Sequence, residues 1–350
     1  MNPISRRYRV VALPGEGIGI EVITAAVMVL EHVAQQQGFS VQIDQALIGQ
    51  PAREKYGEPF PDITAQSCEG SDGILLGAVS QGGLLELRKR FDCFANLRPI
   101  RPFASLSHQS PLKPDPLWSR HFCLCGSWSA ASILGHPGRS ADAQGDYGYH
   151  TMQYHDWEIR RIARIALEKA QQRRKLLTVA HKENALPHLP WTGMVMEEAV
   201  KYPDVQIEPM LVDNLAMQLI VKPRYFDVIL ASNLFGDILS DIGGAIVGSI
   251  GLLGSASLNE LGFGIYEPVH GTAPDIAGRG IANPLGAINS LVLMLQQWGE
   301  HRAGDLIMQA EERVLAQGYG TADLVASKPV TTQNFVKLLL DEITSQSYEL

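Results

Sequence analysis

The sequence predicts an α/β fold, because short apolar runs alternate along it with amphipathic segments of helical spacing. The first apolar run, residues 8–15, ends in Pro-Gly, which is typical of a buried strand entering a turn. Residues 21–38 then carry apolar side chains at helical spacing and end at a glycine, which predicts a helix. A sheet covered by helices is expected from this alternation.

The later elements keep the same order. Further buried strands are predicted at residues 72–79, from 176 into a loop, and at 226–233. Helices are predicted at residues 83–91, 157–175, 234–248, 282–300 and 301–318, the last ending at Gly318. No internal repeat or low-complexity linker interrupts the pattern.

Composition limits the classes of function. The chain has 350 residues, enough for two domains or one large α/β unit, and a formal net charge of −8. The acidic balance argues against a nucleic-acid surface, and no segment approaches the roughly 18 apolar residues of a membrane span. Four cysteines without a disulfide framework indicate a reducing compartment. We therefore expect a cytoplasmic protein that binds neither nucleic acid nor membrane.

The glycine-rich stretch LPGEGIGIEV at residues 13–22 follows a strand and opens a helix, as a dinucleotide fingerprint does. Gly15 and Gly17 match that fingerprint, but Ile20 stands where it requires Gly or Ala, and no suitable acidic residue follows at the expected distance. A tight glycine turn is at least as good an interpretation. A Rossmann domain is therefore not predicted.

Three aspartates suggest a site for a hard cation. Asp237 and Asp241 are four residues apart on a predicted helix, so both project from one face, within the apolar sequence LFGDILSDIGG. Adjacent carboxylates repel each other unless a cation or a proton lies between them. With Asp213 as a third oxygen ligand, Mg²⁺ or Mn²⁺ is predicted. The alternative is that Asp237 is only a helix N-cap.

Basic residues and one long loop supply further candidates. Arg88 and Arg98 carry guanidinium groups suited to carboxylates, whereas Lys89 and Arg90 are expected to be a solvated face. Lys182 follows a strand and could act as a base beside a metal, although a lysine there is usually solvated. Residues 266–284 form a long loop rich in Gly and Pro, either a binding loop or an ordered connector.

Together these motifs resemble the isocitrate/isopropylmalate dehydrogenase family of metal-dependent β-decarboxylating dehydrogenases, in the same order and over nearly the whole chain. The resemblance implies a two-domain, non-Rossmann α/β fold with a mixed sheet. Residues 1–99 and 252–350 would form a discontinuous cofactor-binding domain. Residues 100–251 would form a domain for substrate, metal and dimerisation.

The resemblance also implies roles for the candidates. Arg88 and Arg98 would bind the carboxylates of a malate-type substrate, and Asp213, Asp237 and Asp241 would bind the metal, with Asp213 also near the substrate. Lys182 would be the catalytic base. Because the family's lysine and first aspartate enter from the neighbouring subunit, a homodimer with shared active sites is implied. The family's tyrosine would then protonate the enol that decarboxylation leaves.

NAD is the implied second cofactor, and one residue predicts that the protein prefers NAD to NADP. Asp275 lies where the family's loop meets the adenosine ribose, and a carboxylate accepts hydrogen bonds from a free 2′-hydroxyl but repels a 2′-phosphate. NADP-using relatives carry Lys and Tyr at the positions of Asp275 and Ile276. The predicted cofactor-binding residues are Glu267, His270, Gly271, Thr272, Ala273, Pro274, Asp275 and Asn283.

The substrate is predicted from the helix before Arg88. Leu84 and Leu85 replace the polar residues with which isocitrate-using members meet a third carboxylate, and an apolar pair suits an isopropyl group. The implied reaction is NAD-dependent oxidative decarboxylation of 3-isopropylmalate to 2-oxoisocaproate, in leucine biosynthesis. Three alternatives stay open: a tartrate- or malate-type enzyme, a homoisocitrate-type enzyme, or a catalytically crippled paralogue.

The chain departs from the family pattern at three places. Glu16 replaces the usual Asp, and Ile20 the usual Pro. The loop after Val79 is much shorter than the family's, which normally touches the nicotinamide side. Residues 126–135, GSWSAASILG, replace a segment of the form R-E-L-x-G-G-I-Y-F-G that supplies a third substrate arginine and the catalytic tyrosine.

We interpret the third departure as an out-of-frame reading of the family's segment. When the codons for Cys125 to Gly135 are read one base earlier, permitted bases spell R-E-L-V-G-G-I-Y-F-G. The family frame returns by Thr151, so two compensating shifts would bracket the segment. The shifts are either real lesions or sequencing errors. If they are real, Gly126 and Ile133 stand roughly where the arginine and tyrosine belong, and the chain is expected to form a folded dimer with little or no turnover.

The gene's nucleotide sequence tests this interpretation. We expect the codons for Cys125 to Gly135 to spell the family motif in the shifted frame, because a match across ten codons is hard to attribute to chance. If the shifted codons spell something else, the segment has diverged by ordinary substitution.

Overall fold

The computed structural model of the protein describes residues 6–112, 122–127 and 135–348, and the chain packs as two compact units. The first unit comprises Met1–Cys93, Arg101–Ser119 and Gly244–Leu350. The second comprises Phe94–Ile100 and Arg120–Gly243.

The first unit contains a mixed sheet. Among the described residues its strands are β1 (Arg7–Gly15), β2 (Ser40–Gln45), β3 (Gly73–Ala78), β11 (Gly254–Leu258) and β12 (Gly264–Pro268). They lie in the order β2-β1-β3-β12-β11, all parallel except that β11 runs antiparallel to β12. Two short strands, β13 (Tyr319–Gly320) and β14 (Lys328–Pro329), pair separately. Every residue of β3 is buried, as expected for a strand covered on both faces.

Helices of the first unit cover this sheet. They are α1 (Gly19–Gln37), α2 (Gln50–Tyr56), α3 (Asp62–Cys68), α4 (Leu84–Arg90), α9 (Leu285–Gln297), α10 (His301–Ala316) and α11 (Thr332–Tyr348). Helix α1 ends because Gly38 adopts a left-handed conformation at φ 72°, which lets its N–H bond the carbonyl of Ala34. The apolar face of α1 that the sequence predicts is buried, from Val22 to Ala34.

The strands of the second unit also pair with one another. Its described strands are β4 (Ala95–Ile100), β5 (Phe122–Ser127), β8 (Leu176–His181), β9 (Gln206–Leu211) and β10 (Val228–Ala231). The order is β4-β5-β10-β8-β9, parallel except for the antiparallel pair β4-β5. The helices are α5 (Asp156–Gln171), α6 (Trp191–Ala199), α7 (Val212–Val221) and α8 (Asn233–Val247). An antiparallel hairpin, β6 (Gly135–Asp142) and β7 (Gly145–Thr151), exposes every side chain of β7.

The structure confirms the predicted α/β class and each predicted strand and helix, with boundary shifts of a few residues. It adds elements that the sequence did not predict, including β4, β5, β9, β12 and the hairpin. The predicted domain boundaries differ from the two units. Residues 94–99 belong to the second unit because β4 pairs with β5, and residues 101–119 and 244–251 belong to the first. None of the described helices is long and apolar enough to cross a membrane.

A buried carboxylate links the segment after β4 to helix α10. Glu311 is fully buried and accepts a hydrogen bond from Arg101 Nη2 at 2.7 Å. Burial raises the pKa of its carboxyl to about 7, although Arg101 opposes the shift, and Oε1 has no hydrogen-bond partner among the described residues. The folded protein therefore binds a proton here that the unfolded chain releases near its ordinary pKa of 4.5.

Stability should reflect this raised pKa. Because the folded state binds more protons between the two pKa values, the contribution of Glu311 is present at low pH and is lost as pH rises toward 7. Relative to Glu311→Gln, the wild-type free energy of unfolding should fall by about 2 kcal/mol between pH 5.5 and 7.5. Urea denaturation at both pH values measures this difference. Equal pH slopes for the two proteins would contradict the raised pKa.

Candidate active site

Helix α8 presents the two carboxylates of the predicted cation site. The helix begins at Asn233, so Asp237 lies in its second turn, and the alternative that Asp237 is an N-cap is wrong. Both carboxylates lie on the exposed face of α8 in the single chain, with the Asp237 side chain 67% exposed. Apolar neighbours such as Leu239 turn to the opposite, buried face.

Repulsion between the two carboxylates is visible in their electrostatics. Partial burial and the neighbouring Asp237 raise the pKa of Asp241, while Arg98 opposes the rise. The pKa of the Asp241 carboxyl is therefore raised first by partial burial and then by a like charge one helical turn away. A cation between the two carboxylates would relieve this repulsion, so the pair fits a divalent metal.

Arg98 connects strand β4 to α8. Its Nη1 donates to Asp237 Oδ1 at 2.9 Å and also to Ser240 Oγ, which itself donates to the carbonyl of Asp237 at 2.7 Å. The Arg98 side chain is 17% exposed, so the partner that its apolar sequence context demanded is Asp237. Its Nε is buried without a hydrogen-bond partner among the described residues, which leaves a donor for a ligand carboxylate. Sequence reasoning missed Ser240, which orients this pair.

Lys182 and Asp213 lie together at the ends of neighbouring strands. Lys182 follows β8, Asp213 lies in the first turn of α7 just after β9, and Lys182 Nζ is 2.9 Å from Asp213 Oδ1. The hydrogen bond from Lys182 is the main reason that the pKa of Asp213 is lowered. The pair is accessible, since the lysine side chain is 27% exposed and the aspartate 64%. A solvated, unpartnered Lys182 is thereby excluded.

The three predicted metal ligands do not form one cluster in the described part of the single chain. No group of three or more His, Cys, Asp or Glu side chains there could hold a metal ion. Asp237 and Asp241 are adjacent on α8, whereas Asp213 pairs with Lys182. A three-carboxylate site would therefore need the Lys182–Asp213 pair to come from a second copy.

In the first unit, Arg88 is already paired. It lies on α4 and forms a buried hydrogen bond and ion pair with Glu267 of β12, the two side chains being 9% and 10% exposed. Lys89 and Arg90 are exposed, as predicted, and Arg90 pairs with Glu69. One turn before Arg88, Leu84 packs partly against the core, whereas Leu85 is 37% exposed. Leu85 is thus the more accessible of the predicted pocket residues.

The predicted cofactor loop contains an unsatisfied histidine. His270 Nδ1 is 2.9 Å from the carbonyl oxygen of Gly271, and burial lowers the pKa of the imidazole. A carbonyl only accepts, so Nδ1 carries the proton and Nε2 is left as an acceptor. Nε2 is buried without a partner among the described residues. A ligand hydroxyl or amide could satisfy it, so this loop fits a dinucleotide.

The rest of the loop divides between exposed and structural residues. Gly271, Pro274 and Asp275 are exposed, Thr272 is half-buried, and Ala273 adopts an unusual left-handed φ of 39°. Asn283 is buried and its amide is used internally, donating to Asp323 Oδ2 at 2.9 Å and accepting from the N–H of Leu285 at 3.0 Å. Asp323, which sequence reasoning missed, also accepts hydrogen bonds from Ser249 and Thr321.

The proposed out-of-frame segment lies partly outside the described residues, since Ile133 and residues 128–134 are among those not described. Gly126 is described, at the end of β5 opposite Asn96 and Ala231. A Cβ added there would meet its nearest atoms at 3.8 Å, which is ordinary contact. The strand therefore has room for a Cβ at the position where an arginine is expected.

Two mixed α/β units, with basic and acidic side chains at their strand ends, are consistent with the β-decarboxylating dehydrogenases. The family model described as isocitrate/isopropylmalate dehydrogenase matches residues 9–339, and the chain belongs to this family. It thereby also has the predicted isocitrate/isopropylmalate dehydrogenase-like fold.

Individual relatives are similar over most of their length. A 3-isopropylmalate dehydrogenase of Aquifex aeolicus is 40% identical over 360 aligned positions, covering 98% of this chain and 97% of the relative. One of Yersinia pestis is 43% identical over 339, covering 92% and 93%. Among solved structures, an isocitrate dehydrogenase of Methylococcus capsulatus has a TM-score of 0.84 at 30% identity, covering 96% and 99%. A β-decarboxylating dehydrogenase of Thermococcus kodakarensis has a TM-score of 0.81 at 31% identity, covering 97% and 96%.

Proposed function

We propose that the protein has the framework of an NAD-dependent dehydrogenase that oxidatively decarboxylates 3-isopropylmalate to 2-oxoisocaproate, a reaction of leucine biosynthesis. The observation that carries this proposal is identity of 40–43% to 3-isopropylmalate dehydrogenases over nearly the whole chain. The apolar Leu84-Leu85 pair supports an isopropyl-bearing substrate over isocitrate. Tartrate-, malate- and homoisocitrate-type substrates are the competitors to be tested.

In this proposal the basic residues bind and orient the substrate. Arg98 offers its free Nε–H to one carboxylate while Asp237 and Ser240 hold its guanidinium in place. Arg88, which is paired with Glu267, would bind a second carboxylate. Substrate binding then costs little side-chain entropy, because each guanidinium is already ordered by its acidic partner.

Asp237 and Asp241, with Asp213, would hold Mg²⁺ or Mn²⁺. When bound, the metal lowers the pKa of the C2 hydroxyl and stabilises developing negative charge, and NAD accepts the hydride. Lys182 would act as the base that takes the hydroxyl proton. His270, with Asp275 and the loop between them, would bind the dinucleotide.

A second copy of the chain completes this proposed site. The Lys182–Asp213 pair is exposed and separate from the α8 carboxylates in the described part of one chain. Helix α7, which carries Asp213, exposes Met217, Ile220 and Val221, all more than half exposed, and α8 exposes Ile238 at 54%. Such apolar side chains on the helices that carry the acids favour burial against a partner. A homodimer with shared sites is therefore proposed.

Metal binding tests the role of α8. We expect Asp237→Asn to weaken Mn²⁺ binding by at least about tenfold, because one of two adjacent carboxylates loses its charge while its hydrogen bond to Arg98 can persist. Calorimetric titration of the purified dimer measures the change, and Asp204→Asn, an exposed aspartate paired with Lys175, is the matched control. Unchanged Mn²⁺ affinity in Asp237→Asn would refute the assignment.

Cofactor selectivity tests the role of Asp275. The wild type should bind NADH more tightly than NADPH, and Asp275→Asn should reduce that ratio, since the variant no longer repels a 2′-phosphate. Fluorescence titration with both nucleotides gives the two dissociation constants. Equal affinity of the wild type for NADH and NADPH would contradict NAD preference.

The activity itself is tested together with the missing tyrosine. With NAD, Mn²⁺ and a panel of 2-hydroxy acids, the wild type should produce little NADH. Gly126→Arg combined with Ile133→Tyr should raise kcat with 3-isopropylmalate by at least about 100-fold, as expected of a restored general acid. The matched control is Gly126→Arg with Ile133→Phe, which lacks only the hydroxyl of the introduced tyrosine. Preference for another hydroxy acid would reject the substrate, and full wild-type activity would reject the crippled-paralogue alternative.

A further inference from the structure

The backbone around Glu16 is held from two sides. Glu16 N–H donates to the carbonyl of Ala78 at 2.7 Å, and Ile18 N–H donates to that of Thr272 at 2.9 Å. The flanking Gly15 and Gly17 have φ values of 70° and 57°, and a Cβ on either would lie about 2 Å from those same carbonyl oxygens. The Cα of Glu16 is therefore fixed between the end of β3 and the predicted cofactor loop.

From this fixed point the Glu16 carboxylate bridges two further segments. Oε1 accepts from the N–H of Gln50, the first residue of α2, at 2.8 Å, and Oε2 accepts from Ser80 Oγ at 2.5 Å. The position is tight, since a Cβ on Gly49 would lie 2.4 Å from Oε1. Both oxygens are thus committed to protein groups rather than facing a ligand.

Ser80 belongs to the short loop, residues 79–83, that joins β3 to α4. Residues 80–82 are exposed, and side chains from elsewhere hold the loop: Glu16 at Ser80, and Arg53 Nη2, which donates to the carbonyl of Gln81 at 3.1 Å. The loop then reaches the start of α4, where Gly83 N–H donates to Glu86 Oε2 at 2.9 Å. The loop therefore leads directly into the first turn of α4, whereas Leu87 and Arg88 hold the rest of the helix.

We propose that Glu16 is a positioning residue that fixes the short loop, and through it the first turn of α4 with Leu84, Leu85 and Arg88. Both the glutamate at position 16 and the short loop depart from the family pattern. The hydrogen bond between Ser80 and Glu16 connects these two departures. An aspartate is shorter by roughly one C–C bond, about 1.5 Å, and from the same fixed Cα it could not keep both hydrogen bonds. The effect on substrate affinity rests on the proposed function; the effect on the loop does not.

Hydrogen exchange of the full-length protein measures the effect on the loop. In Glu16→Asp, amides of residues 79–87 should exchange at least about tenfold faster, while those of α9 and α10 stay unchanged. Ser80→Ala removes the hydrogen bond between Ser80 and Glu16 but leaves the glycine turn unchanged. It should accelerate exchange of the same amides. The double variant should accelerate them no more than Glu16→Asp alone, because the shared contact is lost only once. Glu31→Asp, on the exposed face of α1, is the matched control.

Ligand binding separates this proposal from the proposed function. Where the wild type binds 3-isopropylmalate with Mn²⁺, Glu16→Asp and Ser80→Ala should each raise the dissociation constant several-fold, and Glu31→Asp should leave it unchanged. A wild type that binds no hydroxy acid would reject the proposed function, while the exchange data would still decide the role of Glu16. Unchanged exchange at residues 79–87 in both single variants, or equal acceleration throughout the unit, would overturn the proposal.

Discussion

Strands buried on both faces present charged side chains mainly where they end, and this constraint places several residues of the candidate site. In the first unit, Glu16 follows β1, Ser80 follows β3, and Glu267 is near the end of β12, three strands that run parallel. In the second, Lys182 follows β8 and Asp213 follows β9. Because the carboxyl ends of parallel strands meet at one edge of a sheet, residues distant in sequence lie together there.

A second consequence is that predicted ligand-binding charges are satisfied by one another. Arg88 pairs with Glu267, Arg98 with Asp237, and Lys182 with Asp213. Such pairs order long side chains before a ligand arrives, but they also compete with it. The pairs differ in how easily a ligand could displace one partner. A buried pair such as Arg88–Glu267 would be costly to break, whereas the exposed Asp237 and Asp213 can exchange partners readily. The remaining free donors, rather than the formal charges, are what a substrate would meet.

The departures from the family pattern have different physical consequences. The short loop after β3 remains anchored through side chains of Glu16 and Arg53, so its loss of length is compensated within the fold. At Gly126 the strand keeps its pairing with both neighbours, so the fold tolerates the change. A missing guanidinium and a missing phenol, however, cannot be replaced by backbone pairing. A chain can therefore keep the architecture of its family while lacking groups that the chemistry needs.

The sequence by itself determined the α/β class, most helices, the buried strands of strong apolar character and the identities of the candidate charges, because periodicity and residue chemistry are local properties. It missed β4, β5 and β9, whose pairing depends on distant segments rather than on local pattern. Only the tertiary structure decided that Asp237 is exposed, that Arg98 and Arg88 are already paired, and that Asn283 is held by Asp323. Those facts depend on which side chains meet across a sheet edge or a helix face, and that follows from packing among residues as many as 179 positions apart.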